Sequence, residues 1–118
     1  MTEAQLHKAV ARYLWLALKP PVLWSTFPAG GGGIRRGARL KERGLKAGMP
    51  DILVFAPGIV LGVELKTGKG SLSPEQKAMR DAFLALGMHW ATCRSLYDVA
   101  KALSDYSVPR TQPFEVRP

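Results

Sequence analysis

Residues 51 to 66 read DILVFAPGIVLGVELK, two apolar, β-branched runs joined by Ala56-Pro57-Gly58. Proline presets the backbone for a turn and glycine supplies the conformation other residues resist, so the segment predicts a tight hairpin between strands Asp51 to Phe55 and Ile59 to Lys66. With Pro57 and Gly58 as the two central turn residues, opposed residue numbers sum to 115, which sets Asp51 across from Glu64. Glu64 and Lys66 are two apart and share one face of their strand.

Outward from the hairpin, Leu6, Val10, Leu14 and Ala17 recur at helical spacing across residues 2 to 18. Thr2 and Gln5 have the form of a capping box, and Pro20-Pro21 closes the helix. Val22 to Phe27 reads as a strand. Ser73-Pro74-Glu75-Gln76 opens a second helix, with Met79, Phe83 and Leu86 as its expected buried stripe and Gly87 as its stop. A short strand, His89 to Arg94, and a helix from Ser95 to Leu103 follow. The order α-β-β-β-α-β-α, with a basic loop at residues 28–50, predicts an α/β domain over residues 1–106 whose small mixed β-sheet is flanked by helices. The tail, residues 107–118, has no periodicity and reads as mobile or used in contacts.

The chain has 118 residues, 17 Lys+Arg against 9 Asp+Glu and a formal net charge of +8. Five of the net eight charges fall within residues 35–46, where Arg35, Arg36, Arg39, Lys41, Arg43 and Lys46 are opposed by Glu42 alone. Such a one-sided cluster predicts contact with a nucleic-acid backbone, and Arg36 to Arg43 has the makings of a short helix stopped by Gly44. Gly30 to Gly33 lacks the Gly-Lys-Ser/Thr ending of a nucleotide-binding loop and reads as a hinge. The single Cys93 rules out an intramolecular disulfide and, beside only His7 and His89, a thiolate-rich zinc site; it reads as a small buried hydrophobe. The apolar stretch Ile52 to Val63 is 12 residues long, short of the roughly 20 needed to cross a bilayer. A soluble, cytoplasmic protein is expected.

Two opposed carboxylates repel each other unless a cation lies between them. Magnesium suits hard oxygen ligands and keeps several waters, so Asp51, Glu64 and the Leu65 backbone carbonyl form a candidate Mg²⁺ site at which Mn²⁺ can substitute. A metal so held lowers the pKa of a bound water and stabilises charge on a phosphate oxygen. Lys66, on the same face, is placed to orient or deprotonate water or to neutralise the phosphate.

Gly48-Met49-Pro50-Asp51, Glu64-Leu65-Lys66 and Ser73-Pro74-Glu75-Gln76, preceded by Glu3 and by Pro28-Ala29-Gly30-Gly31-Gly32, resemble the virus-type replication-repair nuclease (VRR-NUC) family of the PD-(D/E)XK nuclease superfamily. The resemblance implies the PD-(D/E)XK nuclease fold and a metal-dependent phosphodiesterase in which Asp51 and Glu64 bind the metal, Lys66 is catalytic, and Glu3 and Gln76 line the site. Small stand-alone phage and bacterial members resemble Holliday junction resolvases and act as homodimers, so the expected substrate is branched DNA. Glu3 has a structural alternative as a carboxylate complementing a helix dipole, and Gln76 as the second arm of a capping box. His7 reads as an exposed histidine one turn from Glu3. A catalytically silent nucleic-acid-binding module on the same scaffold is the alternative to an enzyme, and a nuclease of RNA or of DNA ends the alternative to a junction cutter.

Overall fold

The structure, a computed structural model, describes residues 1–27 and 33–118, with backbone alone for residues 33 and 34. Its elements are α1 (Glu3–Ala17), β1 (Leu23–Thr26), α2 (Gly33–Glu42), β2 (Ile52–Ala56), β3 (Ile59–Leu65), α3 (Pro74–Ala85), β4 (His89–Cys93) and α4 (Leu96–Asp105). Four strands form one sheet in the order β1-β2-β3-β4, antiparallel up to β3 and parallel between β3 and β4. The parallel pair requires a crossover, which α3 provides.

The hairpin register is the one expected, with Ile52 opposite Val63 and Ala56 opposite Ile59. It divides β3 between two environments, because alternate residues face opposite sides of the sheet. Leu61, Val63 and Leu65 join Ile52 and Val54 in a core closed by Leu6, Val10, Tyr13, Leu14 and Ala17 of α1 and by Val99, Ala102 and Leu103 of α4. Gly62 and Glu64 face the other way, toward α3. A Cβ at Gly62 would come within 2.9 Å of both Phe83 Cε2 and Pro50 Cγ, so its missing side chain lets α3 settle on the sheet.

The basic segment adds α2 to the expected order, ended by Gly44 at φ 99°. The glycine tract from Gly30 to Gly32 and the preceding Pro28-Ala29 lie outside the described residues. The expected stripe on α3 is corrected in one place: Phe83 is buried and Met79 half-buried, but Leu86 is exposed. Leu86 is the C-cap, one residue beyond the helix, and no longer points along the face that Phe83 shares with the sheet.

Residues after Tyr106 are irregular and used in contacts. Val108 is buried, Thr111 donates its backbone N–H to the Ala17 carbonyl at 2.9 Å, and the Phe114 ring packs edge-on to Tyr13. These contacts supply donors for the last carbonyls of α1 and apolar cover for its C-terminal half.

Gly48 and Gly87 both have positive φ, 86° and 78°, but only at Gly48 would a Cβ strike backbone, 2.2 Å from the Glu75 carbonyl oxygen. Gly48→Ala is therefore expected to cost about 2 kcal/mol or more, against about 1 kcal/mol for Gly87→Ala, in urea unfolding. Equal costs at the two positions would contradict the packing of the Gly48 turn on α3.

Candidate active site

Asp51 lies where β2 begins, and its backbone carbonyl accepts from Phe27 N–H at 2.9 Å. Its Oδ2 accepts the Leu65 N–H at 2.8 Å, so a side chain replaces the next backbone rung of the β2–β3 ladder. This fixes the carboxylate at the end of β3, beside Glu64 and the Leu65 carbonyl.

Glu64 is 3% exposed, a charged side chain carried into the interior by the alternation of β3. Its Oε2 accepts from Gln76 Nε2 at 2.7 Å and lies 3.6 Å from Lys66 Nζ. Its Oε1 is buried with no hydrogen-bond partner among the described residues. Burial, and then the charge of Asp51, push the Glu64 carboxyl up to about 7, with Lys66 acting in the opposite direction.

Gln76 performs both of the roles open to it. Its Oε1 accepts the Ser73 N–H at 2.9 Å while Ser73 Oγ accepts the Gln76 N–H at 3.1 Å, a complete capping box. With the amide oxygen committed to the helix start, only the NH₂ end can face Glu64, so the cap orients the donor. Gln76 and Phe83 are two helical turns apart on one face of α3, which sets Phe83 over Gly62 and Gln76 over Glu64.

Glu3, Ala4, His7, Asp51, Glu64, Leu65, Lys66 and Gln76 line one cleft of about 280 Å³. Glu3 stands on the first turn of α1 and reaches this cleft while remaining exposed. His7 is half-buried rather than exposed, with Nε2 3.2 Å from Thr26 Oγ1. The sequence places His7 one turn from Glu3 but reads it as exposed, and it gives no sign of Thr26; the four-residue spacing of Glu3 and His7, which sets both on one helix face, is the signal that brings His7 in. Asp51 and Glu64, with the Leu65 carbonyl between Glu64 and Lys66, are the groups of this cleft suited to a hard divalent cation. Among the described residues no group of three or more His, Cys, Asp or Glu could hold a metal ion, so such an ion would depend on two carboxylates, a carbonyl and water.

The basic residues stand beside this cleft rather than in it. Lys41 and Lys46 line a second cleft of about 470 Å³ that shares Asp51 and Gln76 with the first. Arg36, Arg39 and Arg43 surround Leu40 in a separate depression, and Arg35 is exposed. Cys93 is buried in β4, and burial pushes its thiol up to about 12, as suits a core residue and not a nucleophile.

A model of the VRR-NUC domain matches residues 18–96, from the end of α1 to the start of α4. Among solved structures, one described as a VRR_NUC domain protein superimposes with a TM-score of 0.68 at 20% identity, covering 90% of this chain and 88% of its own. Another, described as a VRR_NUC domain, gives a TM-score of 0.58 at 22% identity over 90% of this chain and 99% of its own. At these identities the likeness speaks to the fold. No curated protein sequence matches the chain.

The Glu64 carboxyl has a consequence for stability that needs no ligand. Folded Glu64 holds its proton more tightly than the unfolded chain, whose glutamate titrates near 4.5, so this contribution is complete below about pH 4.5 and is lost as pH rises to about 7. Glu64→Gln cannot ionise and lacks this loss. In chelator-treated protein, melting of wild type relative to Glu64→Gln is expected to fall by about 4 °C or more between pH 5 and pH 8; parallel profiles would contradict the burial of an ionisable Glu64.

Proposed function

The chain belongs to the VRR-NUC domain family of nucleases, and from that premise we propose that it is a Mg²⁺- or Mn²⁺-dependent endonuclease of branched DNA, working as a homodimer in the cytoplasm of a bacterial or phage-infected cell. Residues 1–106 form its nuclease domain. The observation that carries the metal requirement is Glu64 Oε1, a buried carboxylate oxygen without a hydrogen-bond partner among the described residues, on a side chain that lines the same cleft as Asp51. A buried anionic oxygen left in this way costs stability, and a hard cation is the group that satisfies it.

In this reading Asp51, Glu64 and the Leu65 carbonyl hold the ion. The bound metal supplies an activated water and charge stabilisation on the phosphate. The protein's own groups arrange the rest. Asp51 is held in place by the Leu65 N–H, and Glu64 by the Gln76 amide and the Lys66 ammonium on Oε2, which leaves Oε1 for the ion. Lys66, with a side chain 15% exposed, stands at the border of cleft and solvent, where it orients the attacking water and neutralises the phosphate that develops extra charge. Glu3 and His7 line the α1 side of the cleft. Arg35, Arg36, Arg39, Lys41, Arg43 and Lys46 hold the strand by its phosphates and position it without reading bases.

Support for a homodimer comes from the sheet edge. Trp15 and Leu23 are 70% and 63% exposed beside the edge strand β1 and line one apolar depression, a surface of the kind buried between copies. No helix among the described residues is long and apolar enough to cross a membrane.

The test is cleavage of labelled duplex, single-stranded and four-way-junction DNA with and without Mg²⁺, alongside an RNA version of the junction and paired circular and linear DNA. Cutting is expected to favour the DNA junction and to vanish with chelator. Glu64→Ala and Lys66→Ala are each expected to lower the rate at least about 100-fold while leaving DNA binding within about threefold. A folded protein that cuts none of these substrates with either metal, or active forms of both variants, would overturn the reading. Replacing Arg39 and Arg43 with alanine is expected to reduce the slope of log affinity against log salt by roughly 1 to 2; an unchanged slope would remove α2 and the turn after it from the DNA contact. Sedimentation of the wild-type protein at micromolar concentration reads the dimer directly, and a monomer there would overturn the two-copy form.

A further inference from the structure

The second cleft, about 470 Å³ between α2 and the start of α3, is not used by the chemistry described above, yet it shares Asp51 and Gln76 with the catalytic cleft. We infer that it receives one unpaired base of the substrate strand, next to the phosphate that is cut. This rests on the nuclease reading and extends it to the kind of DNA the enzyme accepts.

Size is the first argument. The cleft has room for a single base, whereas a base pair in a duplex brings its partner strand and stacked neighbours with it. The lining is the second. Leu40, Leu45 and Met49 give apolar contacts to the faces of a planar ring, and the flexible thioether of Met49 adapts to rings of different shape. Lys41 and Lys46 bring positive charge for the phosphates on either side. The α3 side of the cleft carries Glu75 and Ser73, so a phosphate is repelled there while the amino group of a base finds acceptors.

Gly37 supplies an independent observation. It lies inside α2, where glycine is the least favourable residue after proline, and it lines the cleft. Among the described residues a Cβ at this position meets nothing within 4 Å, so their packing does not require its absence. Space is what glycine leaves there. A substrate bearing an unpaired nucleotide at the cut, such as a branch point or single strand, satisfies the cleft, and a continuous duplex has to give up a base to enter.

The inference is tested on the full chain with four-way-junction DNA whose cut strand carries one abasic residue at each position in turn. With Mg²⁺, an abasic residue beside the cut is expected to lower the initial rate roughly tenfold, the effect of losing one partly buried base, with changes within about twofold elsewhere. Gly37→Phe, whose ring fills the cleft, is expected to cut intact and abasic strands at the same reduced rate, and Ala47→Phe on the facing wall serves if Gly37→Phe does not fold. Binding is read separately in chelator with 2-aminopurine at each position; its emission is expected to rise at one position with wild type and not with the filled variant. Normal cleavage with a flat abasic scan overturns the base cleft and leaves the nuclease intact. An emission rise at one position without cleavage under either metal overturns the nuclease and leaves the cleft, and the absence of both overturns both.

Discussion

Burial of the Glu64 carboxylate is the constraint around which the rest of the domain is arranged. β3 is covered on both faces, by core residues of α1 and α4 on one side and by Phe83 and Gln76 of α3 on the other, so Glu64 near its end is drawn out of water. A lone carboxylate in such a place costs several kcal/mol or takes up a proton. The fold meets that cost in part, with one strong hydrogen bond from Gln76 and a nearby ammonium from Lys66, both on Oε2. Among the described residues it leaves Oε1 without a partner, and it sets a second carboxylate, Asp51, close enough to act on Glu64. A structure selected for stability alone has no use for that arrangement.

Local helix geometry reaches into the site through Ser73 and Gln76. A capping box stabilises a helix start whatever lies near it, but here it also decides which end of the Gln76 amide meets Glu64. The Gly48 turn packs on the same helix start so closely that no side chain fits between them. The helix start, the turn before β2 and the end of β3 therefore form one rigid corner. The two clefts open on either side of it, and the opposition of charge in the sequence is spatial as well: basic α2 on one side, paired carboxylates on the other.

Those features set by short-range rules were legible in the sequence. Pro57-Gly58 fixed the hairpin register, the capping motifs placed the starts of α1 and α3, and the period of Leu6, Val10, Leu14 and Ala17 marked the buried face of α1. What escaped depends on contacts between distant segments. Nothing local in residues 107–118 shows that Thr111 and Phe114 find partners on α1, and nothing in Leu86 shows that the helix turns away one residue too soon to bury it. His7 reads as exposed from its helix alone because its partner, Thr26, comes from a strand 19 residues away. Gln76 presented two competing roles, and the reason both hold is geometric: an amide has two ends.

In the proposed metal site Glu64 exchanges for a cation the proton that burial favours on its carboxyl. The most direct measurement is calorimetric titration of the chelator-treated protein with Mn²⁺ at pH 7 in buffers of different ionisation enthalpy, for wild type and Glu64→Gln. Wild type is expected to bind the metal with release of roughly half a proton, since a carboxyl titrating at about 7 is half protonated there, and Glu64→Gln to bind far more weakly with no proton linked to Glu64. Equal affinity and equal proton release in the two proteins would contradict the assignment of Glu64 as a metal ligand.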